Sequence, residues 1–132
     1  MTEAQAYIHV AERSLVAADG ALDRSVHEKA SFLGYHALES TGGAFCHSRG
    51  VPFPRGHRKK ITTFTAAVRR ERFGRTVAEL AIAFSSLRNP LLYPAALQDG
   101  SIQQPQDIIT AGQTKRLLGR TKALVARVKP GV

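Results

Sequence analysis

Apolar residues return at steps of four and three along most of this chain, and that spacing points to packed helices before any other architecture. Ala4, Ile8, Ala11, Leu15, Ala18 and Leu22 form one continuous stripe, the face that an amphipathic helix buries. Asp19-Gly20 stands inside the stripe as an interruption near the helix end. Asp23 and Ser25 are N-cap residue types, and they predict a second helix running to about Ser48. Its apolar positions lie on two sides, with Val26, Ala30, Leu33 and Ala37 on one and Phe32, Tyr35 and Leu38 on another. A helix apolar on more than one side belongs at the centre of a bundle or between two copies. Gly42-Gly43 either weakens this helix, by about 1 kcal/mol per glycine, or lets a neighbour approach closely.

The clearest loop is Arg49-Gly-Val-Pro-Phe-Pro-Arg-Gly56, with two prolines and two glycines in eight residues. A third helix follows, with Ile61, Phe64, Thr65 and Val68 inward, and Phe73-Gly74 is its expected end. Arg75-Thr76 opens a fourth, in which Val77, Leu80, Phe84, Leu87 and Leu91 repeat the three-four step. Pro90 should end or kink it, because proline lacks an amide donor and biases Asn89 away from helical geometry. A loop through Pro94 and Asp99-Gly100 leads to Pro105, placed as the first residue of a last helix. Ile108, Leu117, Leu118, Leu124, Val125 and Val128 supply its buried side. Ile61-Thr-Thr-Phe-Thr65 is the nearest thing to a strand, and it is short. The expectation is an all-α, up-and-down bundle of four to five helices, one domain over residues 1–132.

Composition narrows the setting. No apolar run reaches the roughly 18–20 residues of a membrane span, and the polar start MTEAQAYIHVAER is unlike a signal peptide. The single Cys46 cannot form an internal disulfide, which suits a reducing cytoplasm. The charge is +9 and unevenly spread. Residues 1–48 carry three basic and six acidic side chains, residues 49–75 nine and one, and residues 112–132 six and none. A basic half behind an acidic front suggests an anionic partner, with nucleic acid or an acidic protein ahead of a membrane surface.

Several chemistries lack their residues. The histidines stand at 9, 27, 36, 47 and 57, no two of them three or four apart, and with one cysteine they make no zinc-type set. Thr41-Gly42-Gly43-Ala44 has neither the strand before it nor the Lys-Ser/Thr after it that a phosphate loop needs, and no cofactor motif is present. The ten acidic residues read as ordinary helix-surface charges. What stands out is Ser86-Leu-Arg-Asn-Pro-Leu-Leu-Tyr-Pro94. It sets the guanidinium fork of Arg88, the mixed donor and acceptor of Asn89 and the phenol of Tyr93 at a proline-broken helix end.

In order and spacing these segments resemble the HEPN domain, a small helical bundle of prokaryotic toxins and defence proteins. AERSLVAAD and EKASFLGYHALES stand for its first two helices, SRGVPFPRGHRKKITTF for the connector ending in a histidine among basic residues, and SLRNPLLYP for the end of the motif helix. The resemblance spans roughly residues 4–129. It implies a homodimer in which arginine-bearing helix ends meet across a basic cleft, and an RNA or nucleotide ligand. Active members are metal-independent ribonucleases with four to six residues between the arginine and a histidine. The histidine moves the 2′-hydroxyl proton while the arginine stabilises charge on the phosphate. The resemblance also implies an acidic partner such as a nucleotidyltransferase antitoxin.

Arg88 and Asn89 match the motif, but the histidine does not carry over, because Tyr93, Pro94 and Ala95 fill its positions. A free tyrosine has a pKa of about 10, so about one in a thousand is ionised at pH 7. Some HEPN-like proteins carry Arg-x4-Tyr, which makes Arg88, Asn89 and Tyr93 the candidate catalytic set. Ala95 also stands where some family toxins carry a tyrosine that their partner modifies. His57, Arg58, Lys59, Lys60, Arg69, Arg70, Arg72 and Arg75 are the candidate phosphate-tracking residues. Phe53, Phe64 and Tyr93 are the aromatics near them. His36 is expected inside the fold, His9, His27 and His47 on its surface, and Cys46 as a small apolar filler.

Overall fold

A computed structural model describes all residues, Met1–Val132. Five helices carry the fold: α1 Glu3–Asp23, α2 His27–Ser48, α3 His57–Ala67, α4 Gly74–Ser85 and α5 Ala111–Val128. Short 3-10 turns at Pro105–Asp107 and Lys129–Gly131 flank α5. The fold is all-α apart from two-residue strands, β1 Ala95–Ala96 and β2 Ile102–Gln103, which pair antiparallel. No helix is long and apolar enough to cross a membrane.

The stripe on α1 lies inward as its spacing predicts, with Ala4, Ile8, Ala11, Leu15 and Ala18 all buried. Gly20 does not interrupt the helix, and Leu22 is half-buried. The link to α2 differs from expectation. Asp23 belongs to α1, Ser25 sits in the left-handed region at φ 63°, and Val26 is the N-cap without a side-chain hydrogen bond. Ser25 therefore does the chain-reversing work that glycine usually does after a helix.

α2 is the central helix, packed by α1, α3 and α5 and buried around its circumference from Gly34 to Cys46 except at His36. Its small residues let neighbours in. A Cβ on Gly42 would stand 2.8 Å from the Phe64 ring of α3, and one on Gly43 2.6 Å from the Tyr7 ring of α1. One core cluster joins Ile8, Tyr35, Leu38, Phe45, Phe64, Val68, Val77, Leu80, Phe84 and Leu124. A second joins Ala11, Leu15, Ala18, Ala30, Leu118 and Val125 along the α1–α2–α5 seam. The Ser31 and Thr114 hydroxyls meet at 2.7 Å across this seam, so their burial costs no unpaired polar group.

Three further boundaries moved. α3 ends at Ala67 and not at Phe73, because residues 68–73 fold into turns whose close packing seats Gly74 against the Val68 carbonyl oxygen. α4 ends at Ser85, ahead of Pro90. α5 begins at Ala111 and not at Pro105, and Ile108 lies before it. The cause is a capping box: Thr110 Oγ1 accepts from the Gln113 amide at 3.1 Å while the Gln113 side chain accepts from the Thr110 amide at 2.9 Å. Thr2 and Gln5 start α1 in the same way.

Candidate functional site

The three-four spacing of α4 turns Val77, Leu80 and Phe84 into the core and leaves Ala78, Ala81, Ile82 and Ser85 facing α3. Alanine and serine are too short to fill the space opposite Ile61, Thr65 and Arg69. A cleft of about 650 Å³ results between the two helices. Tyr35 of α2, the Arg88-Asn89-Pro90 turn, and His57 and Arg58 of α3 line it as well.

The turn after α4 is pinned from below. Leu91 is fully buried and its amide donates to the Leu87 carbonyl at 2.9 Å, while Pro90 forbids a regular helix. That holds Arg88 half-buried at the cleft, with its Nε shielded from solvent and lacking a hydrogen-bond partner. An unmet buried donor costs about 1–3 kcal/mol, so Arg88 is a donor kept in want of an acceptor.

Glu39 of α2 is the residue that sequence reasoning missed. It is 7 % exposed and not a surface charge. Its two carboxylate oxygens accept from His57 Nδ1 at 2.9 and 3.0 Å. Tyr35 stands one turn earlier on the same helix. Burial, then the neighbouring Glu39 carboxylate, push the Tyr35 phenol well above its ordinary range, against a smaller opposing pull from Arg88. Tyr35 thus stays protonated. Only the i, i+4 relation of Tyr35 to Glu39 on a doubly apolar helix hinted at this.

His36 is exposed, not interior as expected. Crowding holds its pKa below the usual histidine value; the nearby Lys60 and His57 charges add to this, and Glu39 opposes it. His27 and His47 are half-buried; His27 Nε2 lies 2.9 Å from the Gln106 carbonyl, and His47 stacks on Tyr7 with ring centres 5.1 Å apart. Cys46 is fully buried, and burial pushes its thiol up to about 11.

The structure brings Arg88, Asn89, His57, Arg58 and Arg69 to one cleft. Lys59 faces an adjoining notch formed by Pro52, Phe53 and Pro54, and Lys60 lies over the Phe53 ring at 5.9 Å. Arg70, Arg72 and Arg75 do not line the cleft, and Arg75 pairs with Glu79 at 3.2 Å. Tyr93 is 65 % exposed and outside the cleft lining, while Phe64 is sealed in the core. No three His, Cys, Asp or Glu side chains come together. Compared with known proteins, the chain matches no family model, and no curated protein matches it significantly in sequence.

Proposed function

We propose that this chain is a HEPN-type protein that binds RNA in the α3–α4 cleft and cleaves it without a metal ion, with Arg88 at the centre. The observation that carries the reading is the half-buried Arg88 guanidinium, its Nε without a partner, in the lining of a cleft that Arg58, Arg69 and His57 also line. A phosphate oxygen is a natural acceptor for the guanidinium, which offers it the fixed fork that lysine lacks. α3 adds to the attraction, for it starts at Gly56 with no side-chain cap and no acidic residue in its first turn, which leaves its amides for an anion. Asn89 can donate or accept beside Arg88.

The same reading makes the fold an up-and-down HEPN-like bundle that works as a homodimer, the Arg88 ends of two copies facing one another. Ile82, 74 % exposed at the cleft, supports contact with a second copy. A reducing cytoplasm, a role in growth arrest or defence, and an acidic nucleotidyltransferase-type partner belong to the proposal.

Binding of a fluorescent 2′-O-methyl RNA tests the ligand. Arg88→Ala should weaken it at least tenfold without loss of helicity. Equal binding by the two proteins would remove Arg88 from the site and leave an interaction module that docks an acidic protein.

A further inference from the structure

The HEPN pattern asks for a histidine shortly after Arg88, and this chain has none there. It has one across the cleft. We infer that His57, oriented by Glu39, is the general base of the site and takes over proton removal; the inference rests on the RNA-cleaving reading above.

Geometry carries it. Both Glu39 oxygens lie within 3.0 Å of His57 Nδ1. A carboxylate accepts hydrogen bonds, so Nδ1 carries a proton, and in the neutral ring Nε2 is the nitrogen with the free lone pair. The two partners differ sharply in exposure, the Glu39 side chain at 8 % and His57 at 52 %. An ordinary surface pair would leave both in water. Here the acid is buried in the fold, while the histidine opens onto the same cleft as Arg88. A base within reach of ligand, backed by a third group that fixes its tautomer, is the arrangement acid–base catalysis requires. Capping does not explain His57, because Gly56 is the N-cap of α3.

In the reaction, His57 Nε2 takes the proton of an RNA 2′-hydroxyl. The 2′-oxygen bonds to the adjacent phosphorus as the bond from phosphorus to the 5′-oxygen breaks. That oxygen leaves with a proton from water, and His57 returns its own proton to solvent. Arg88 meets the charge on the phosphate oxygens. The products are a 2′,3′-cyclic phosphate and a 5′-hydroxyl end. His57 is then a catalytic residue and Glu39 a positioning residue.

The test compares wild type, His57→Ala, Glu39→Gln and Arg88→Ala in single-turnover and steady-state cleavage of a short RNA in EDTA, beside binding of 2′-O-methyl RNA, which has no attacking hydroxyl. His57→Ala should cleave about 10²–10⁴ times more slowly, lose far less of its 2′-O-methyl RNA binding than of its rate, and regain rate on addition of imidazole. Glu39→Gln should lower kcat with KM held, by up to about 10⁴-fold, since an amide can hold the wrong tautomer. Wild-type cleavage by His57→Ala would overturn the inference, as would parallel loss of binding and cleavage without imidazole rescue. A wild type that binds through Arg88 and never cleaves also overturns it while leaving RNA binding intact. Arg88→Ala binding as tightly as wild type removes the reading beneath it.

Discussion

Arg88 shows how one side chain acquires a task from its surroundings. Its Nε has no partner, although the fold pairs most other buried polar groups, as in the Thr41 hydroxyl donating to the Ala37 carbonyl at 2.7 Å. Arg88→Lys tests whether charge alone suffices. Lysine keeps the positive charge and loses the planar fork, so RNA binding should fall toward that of Arg88→Ala, measured by anisotropy. His36 gives a prediction with a sign. Its pKa is lowered in the fold by crowding, with Lys60 and His57 adding to the effect and Glu39 opposing it. Above the unfolded value of about 6.5 both states are neutral and His36 has no effect on stability. As pH falls through that value the unfolded chain takes a proton that the folded one resists, and stability drops. Urea unfolding at pH 7 and pH 5 should therefore show a smaller acid loss in His36→Gln than in wild type. Cys46 is simpler. A buried thiol held near 11 should resist iodoacetamide at pH 8 until the protein is unfolded; rapid labelling of the native protein would contradict its packing.

At the scale of elements, the glycines of the helices separate into two kinds. Gly42 and Gly43 of α2 are where Phe64 and Tyr7 press in, whereas nothing lies within 4 Å of a Cβ on Gly20 of α1. Gly42→Ala and Gly43→Ala should each cost about 1–3 kcal/mol by overpacking. Gly20→Ala should gain about 0.5–1 kcal/mol from helix propensity alone. Thermal or urea unfolding of the three variants checks the contrast. The bodies of the helices were legible because burial imposes a period, and α1 and the Val77-Leu80-Phe84 face of α4 show it. Their ends were less so. Asp23 and Ser25 look like N-caps, but the turn into α2 needed a left-handed residue, and Ser25 met that need. Pro105 suits a helix start, yet it opens only a single 3-10 turn. The Thr110–Gln113 capping box was present in the sequence and marked the true start of α5. The two-residue hairpin follows from its turn, where Gly100 takes φ 86° and Asp99 accepts from the Ser101 amide at 2.9 Å. No alternating run announces so short a pair of strands.

For the whole molecule, the question is how a +9 surface becomes a site. Part of the charge is spent within the fold, as Lys122 of α5 meets Asp19 at 2.7 Å, Arg120 of α5 meets Glu79, and Lys129 just after α5 meets Glu12 at 2.9 Å. Such exposed pairs contribute little stability, and Arg58, Lys59 and Lys60 of α3 take part in none of them. Arg88, Asn89 and the basic α3 start were legible in the sequence as chemistry-bearing residues. Their meeting in one cleft depends on Ala78 and Ala81 being too small to fill it. Glu39 was not legible, because an acid on a helix shows no sign of burial until the partners that bury it are in place. If Arg58, Arg69 and Arg88 alone meet phosphates, log K against log salt should have a slope of about −2, at about −0.7 per contact on a single strand. A slope beyond about −5 would show instead that the basic surface at large does the binding.

The most direct test of RNA cleavage centred on Arg88 is incubation of wild type and Arg88→Ala with a mixed RNA pool in EDTA, followed by mapping of the product ends. Cleavage by wild type that leaves 2′,3′-cyclic phosphates and is lost in Arg88→Ala is the predicted result. An intact RNA pool after incubation with folded wild-type protein, or equal cleavage by both proteins, would contradict it.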